Sequence, residues 1–240
     1  MTPAQTPGLD EFNRHLDDPG LLASMTFLRG HLLLEQALTR ILELRAVDAS
    51  ALRLDRQTFA SKLNICRALG FVPEDLAGAI GAVNRERNRL AHRLDAKVDR
   101  ESLQALVNGL PRRIRVSIDA VIAAAPDTTD YMRAAAHGDL RAMGLPAVEA
   151  AIDLYISGAA MKLTMQALFL VLAMGLGHEV LLAEYRKEHG DRIMAFELAC
   201  AMQDDPPSAD KIASIRENLG LPPEPDPRDA LSALFGGSET

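Results

Sequence analysis

Residues 81–94 read GAVNRERNRLAHRL, an arginine-rich run that still keeps helical apolar spacing. Its helix is announced upstream by Val72-Pro73-Glu74-Asp75: proline suits the first helical position, and acids in the first turn suit the helix dipole. At about 100° per residue, Leu76, Ile80, Val83, Leu90, Ala91 and Leu94 fall on one stripe, and Arg87 falls inside it. Arg85, Arg89 and His92 project to the far side. An arginine in an apolar seam needs an anionic or hydrogen-bonding partner, because an unpaired buried charge is costly. Arg87 is therefore the residue whose surroundings have to be explained.

The composition around this run is that of a helical protein. Of 240 residues, 48% are hydrophobic, 25% charged and only 4% aromatic, and β-branched runs are almost absent, which favours helix over strand. A formal net charge of −7 argues against a whole-molecule nucleic-acid clamp, so a polyanion site would have to be a local basic patch. Cys66 and Cys200 are isolated, which fits a reducing, cytoplasmic setting and gives no metal site and no cofactor. The first residues, MTPAQTPGLDEFNR, lack the basic and apolar regions of a secretory signal.

In chain order, a short helix is expected over Leu9–Asp17, ending at Asp18-Pro19-Gly20. A long amphipathic helix follows over Leu21–Leu44, with Phe27, Leu34, Leu38, Ile41 and Leu42 on one face and His31 and Glu35 one turn apart beside it. Glu35 is thus the best candidate within the chain to neutralise Arg87. Asp48–Asp55 reads as a loop and Arg56–Leu69 as a helix closed by Gly70 in a left-handed conformation. After the Pro73 helix, Asp99 is placed to cap another, which Gly109 and Pro111 interrupt before Ile114–Ala125.

These elements predict an all-α protein: an up-and-down helical bundle over residues 9–125, a second small helical unit over 127–204, and a proline-rich tail with short helices over 205–240. In the second unit, helices are expected at Tyr131–Met143, from Pro146 through the apolar stretch Leu154–Leu176, at His178–Glu188 and at Asp191–Met202. The uncharged run Leu163–Gly177 has 15 residues, short of the ~18–20 that span a bilayer. A buried core or dimerisation helix is the expectation there, with no membrane. In the tail, Ser208 caps a helix ending at Gly220, and Leu231, Leu234 and Phe235 have groove-binding spacing, either for another protein or, as favoured here, for the chain's own bundle.

At Arg87-Asn88-Arg89-Leu90-Ala91-His92 the chain resembles the HEPN superfamily, whose marker is an arginine and a histidine separated by four to six residues near a helix end. Arg29-Gly30-His31 through Glu35 is similar to that family's early helix. Phe59-Ala60-Ser61-Lys62-Leu63 with Leu69-Gly70-Phe71-Val72 is similar to its middle, especially in the branch that includes the mannitol-repressor family. The resemblance covers about residues 20–110. It implies a HEPN-type bundle in which Arg87 and His92 take the catalytic positions of a metal-independent ribonuclease site, with Asn88 between them, formed where two protomers meet. Arg85 also satisfies the spacing, and lies about 20° from His92 on a helical wheel against about 140° for Arg87; the Arg-Asn dipeptide favours Arg87.

The residue types suit that chemistry. Cleaving RNA without a metal needs a base for the 2′-hydroxyl, an acid for the leaving oxygen and a cation for the developing phosphorane charge; histidine and arginine supply these. Glu35 and Arg85 would support the site, and Arg89 and Arg93 would bind RNA. Two function classes stay open: a homodimeric endoribonuclease, as in toxins or defence effectors, or a non-catalytic regulator or adaptor that holds a protein partner through residues 127–204 or the tail.

Overall fold

A computed structural model describes residues 19–93, 96–125, 148–202 and 206–235, and every regular element among them is helical. The protein is all-α, as its composition predicts. The helices are α1 (Pro19–Arg45), α2 (Phe59–Ala68), α3 (Glu74–His92), α4 (Arg100–Asn108), α5 (Arg112–Ala124), α6 (Val148–Ala201), α7 (Ala209–Asn218) and α8 (Ala230–Phe235). The helices expected over Leu9–Asp17 and Tyr131–Met143 lie outside the described residues.

Local signals place most helix ends. Asp99 accepts from the Ser102 backbone N–H at 2.8 Å and its own N–H donates to Ser102 Oγ at 3.1 Å, a reciprocal cap for α4. Thr58 and Ser208 cap α2 and α7 from one side only, accepting from the Ser61 and Lys211 backbone N–H groups. Gly70 (φ 64°) and Gly220 (φ 58°) end α2 and α7 in the left-handed region. The following residues, Phe71 and Leu221, donate back to Cys66 and Arg216 carbonyls at 2.8 and 2.9 Å, which satisfies the last free carbonyls. α1 begins at Pro19, two residues before the expected Leu21, a position where proline's missing N–H costs nothing.

Two compact units share the long helices. One holds the described residues up to Leu33 together with Asp75–Leu172; the other holds Leu34–Glu74 and the described residues from Ala173 onward. In the first, Phe27 of α1 meets Phe169 of α6 edge to face, ring centroids 5.3 Å apart. A Cβ on Gly30 would lie only 2.5 Å from the Phe169 ring, so the ring needs a residue without a side chain there. Ile80, Val83, Ile118, Leu168 and Leu172 fill the rest of that core. Ser24 Oγ, itself buried, accepts from the Val98 backbone N–H at 3.2 Å.

The second unit packs Leu34, Leu38, Ile41 and Leu42 of α1, Phe59, Leu63 and Cys66 of α2, and Leu176, Val180 and Ala183 of α6. Arg40 pairs with Glu184 at 3.0 Å, and Arg45 lies over the Phe71 ring at 4.2 Å. Tyr185 donates to the Pro222 carbonyl at 2.6 Å, and Arg216 Nη2 donates to the same carbonyl at 3.0 Å. Ala230 is fully buried and its backbone lies on Gly177, so the tail docks on its own chain.

α6 departs most from expectation. Gly175, Gly177 and His178 do not break it; the helix runs on to a kink at His189 (φ −117°, ψ 16°), which falls between the helices expected at His178–Glu188 and Asp191–Met202. Glycine disfavours helix by about 1 kcal/mol relative to alanine, but at Gly177 a side chain would collide with the Ala230 carbonyl oxygen, so the docked tail requires that glycine. The segment Gly158–Ala201 is long and apolar enough to cross a membrane by length and composition. In this structure Met165, Leu168, Leu172 and Leu176 are enclosed by protein, whereas Lys162, Gln166 and Met174 on the other side are exposed, and 39% of the apolar window is buried.

Two expectations follow. Gly177→Val forces the Ala230 backbone off α6; the variant should lose about 1–3 kcal/mol, and limited proteolysis should release the tail beyond Pro222 faster than in the parent. At α4, the Ser102 N–H and hydroxyl hold the Asp99 carboxyl below its usual range. A depressed carboxylate stabilises above its unfolded pKa and loses that contribution as pH falls through the folded value. Asp99→Ala should therefore cost about 1 kcal/mol at neutral pH, and urea denaturation should show the gap to wild type narrowing below about pH 4.

Candidate functional site

The α3 helix begins at Glu74, one residue after Pro73, and Asp75 Oδ1 accepts from the Leu76 N–H at 2.9 Å. Its buried residues are Leu76, Ala77, Ala79, Ile80 and Val83. Beyond Val83 no residue of α3 is buried: Asn84 is half-buried, Leu90 is half-buried and Ala91 is exposed. The apolar stripe drawn through Leu90 and Ala91 is thus sealed only over its first half. Arg87 lies past the sealed part and is half-buried rather than enclosed in a seam.

One turn before Arg87, α3 is anchored to α1. His31, 2% exposed, donates from Nε2 to Asn84 Oδ1 at 3.1 Å. Asn88, one turn further on the same face, accepts from Arg87 Nη1 through Oδ1 at 3.2 Å. Asn88 thus orients the guanidinium without cancelling its charge. His92 is the last residue of α3 and is exposed, as is Arg85.

Glu35 has a different partner from the one expected. Its carboxylate accepts from Lys62 Nζ at 3.0 Å, and the Lys62 side chain is 9% exposed against 28% for Glu35. Lys62 sits at the helical spacing of the buried residues Phe59, Leu63 and Cys66, so its ammonium enters the core and recruits the nearest acid. The expected Arg87–Glu35 pair is replaced by Arg87–Asn88 and Lys62–Glu35. The signal was present: Lys62 lies on an apolar face by the same arithmetic that singled out Arg87.

Arg89, expected to reach outward, is half-buried and makes a two-pronged pair with Glu86, Nε to Oε2 at 3.0 Å and Nη2 to Oε1 at 2.6 Å. Its Nη2 also donates to the Lys97 carbonyl at 3.0 Å, tying the segment after α3 to the helix. An acid and an arginine three residues apart on a helix announce that pair in the sequence. Arg93 and Lys97 are exposed, and so are Arg100, Arg112 and Arg113, the last 3.6 Å from Asp75. Burial pushes the Cys66 thiol up to about 12, so it stays protonated and is no nucleophile. Among the described residues no three His, Cys, Asp or Glu side chains converge as a metal site.

These pairings fix how substitutions should rank. Glu35→Gln strands the more deeply buried ammonium of Lys62 and should cost about 3 kcal/mol. Lys62→Met leaves a carboxylate that water can still reach, and should cost clearly less. Arg87→Ala breaks only the bond to its neighbour and should stay within about 0.5–1 kcal/mol. Urea denaturation of the three variants checks the order. Comparison with protein-family models, with curated proteins and with solved structures gives no match to this chain, and its function is argued from these residues.

Proposed function

We propose that the end of α3 is the active site of a HEPN-type endoribonuclease, working without a metal and as a homodimer. The observation that carries this reading is that Arg87 is oriented by an amide, Asn88, and, among the described residues, is not paired with a carboxylate. A structural arginine would be expected to hold Glu35, and Glu35 is committed to Lys62. The Arg87 charge is left available to a phosphate, and His92, exposed at the end of the same helix, is left available for proton transfer.

In the proposed reaction an imidazole removes the proton from a ribose 2′-hydroxyl, and that oxygen forms a bond to phosphorus. The P–O5′ bond breaks, the departing 5′-oxygen takes a proton from an acid, and a 2′,3′-cyclic phosphate remains. Arg87 stabilises the charge that builds on the phosphorane oxygens. The motif supplies one histidine per chain, so a second protomer would bring the second proton-transfer group. Arg85 and Arg93 would hold the RNA backbone, whereas Arg89, bound to Glu86 and the Lys97 carbonyl, is given a structural role.

A second reading has its own support. Met194 and Leu198 on the last turns of α6 and Met202 just past its end are 66%, 61% and 75% exposed at four-residue spacing, an apolar row suited to a protein partner. In that reading the chain is a non-catalytic regulator or adaptor.

Single-stranded RNA incubated with the purified protein in EDTA separates the two. Cleavage to cyclic-phosphate ends, lost by at least about a hundredfold in His92→Ala and Arg87→Ala with folding intact, supports the nuclease. An inert wild-type dimer that holds a protein partner selects the adaptor.

A further inference from the structure

Separate from the α3 segment, the first unit carries an open groove of about 620 Å³ between α1, the end of α5 and α6. Leu33, Val121, Leu163 and Leu170 line it, all half-buried, and Phe169 lines it as well. That ring is held against the backbone of Gly30 and the edge of Phe27, so this part of the lining is set by packing beneath it. Among the described residues, the one charged residue of the lining is Arg29, which is exposed and has no hydrogen bond or ion pair. Gln166 adds an exposed amide.

We infer that this groove binds an amphipathic monoanion, a medium-chain alkyl carboxylate, with its chain along the α1–α6 cleft and its head group on Arg29. The groove has the size of small-molecule sites and is lined mainly by apolar side chains, as those sites are. A ligand with a charged group in mid-chain would leave it unpaired against those walls. A cationic head group would meet Arg29 unfavourably, whereas a carboxylate can accept two parallel N–H bonds from the guanidinium fork. Arg29 and Gly30 thereby acquire linked roles: the glycine seats the Phe169 ring, and the arginine selects the charge.

The full-length protein would be titrated with decanoate and with decyltrimethylammonium, equal tails of opposite charge, by isothermal calorimetry below their micelle concentrations. Saturable decanoate binding at least about tenfold tighter than the cation is expected. Arg29→Gln should erase that preference while leaving weak binding of both, and Val121→Trp, which fills the groove from a half-buried position, should remove both. Absence of saturable decanoate binding, equal affinity for the two head groups, or an unchanged preference in Arg29→Gln overturns the inference. So does binding seen only with anionic phosphatidylglycerol vesicles, which would reveal a surface for bilayers rather than a site for one free chain. The wild-type comparison of the two head groups decides the question even if a variant unfolds.

Discussion

Fully buried side chains recur on one face of α1 from Phe27 to Leu42 and of α6 from Met165 to Val180, and that buried face limits the residues that pack on it. A helix buried over so much of its length has little room for irregular contacts, because protein interiors are packed at the density of organic crystals. Where another group must come closer than a side chain allows, one partner gives up its Cβ. Gly30 does so for the Phe169 ring and Gly177 for the Ala230 backbone. Helix propensity is sacrificed at both positions, and close packing more than offsets it.

The same burial decides where charges go. Lys62 is carried into the core by its place between Phe59 and Leu63, and Glu35 is drawn to it from α1. Arg87 lies beyond the sealed part of α3, and Asn88 beside it accepts from its guanidinium through an uncharged amide. One turn before that point His31, itself buried, donates to the half-buried Asn84 of α3. The polar contacts near α3 therefore form a sequence: a buried histidine bond, then an amide holding a guanidinium, then an exposed imidazole.

What could be read from the sequence was whatever is decided within a few residues. The caps at Asp99 and Ser208 and the left-handed glycines at 70 and 220 depend on backbone groups three or four positions away, and local spacing reveals them. The buried face of α1 was legible for the same reason, since one helix period sets it. The continuity of α6 through Gly177 was not, because its cause is Ala230, distant in the chain. The choice between Lys62 and Arg87 for Glu35 was also hidden: both cations occupy apolar stripes, and only the packed structure shows that the stripe on α3 stops being sealed after Val83 while that on α2 does not.

That difference bears on function. A cation in a sealed stripe must be neutralised or the fold suffers, so its charge is spent on structure. A cation beyond the sealed stripe is under no such obligation, and one held in place by an amide keeps both its orientation and its charge. Lys62 is the first kind and Arg87 the second. Arg89 shows a third outcome: outside the buried part of α3, it is nevertheless claimed by Glu86 and by the Lys97 carbonyl, which makes it a strut. Arg87, by contrast, is held by the uncharged amide of Asn88, and it is this difference that the proposed nuclease reading takes up in placing a phosphate there.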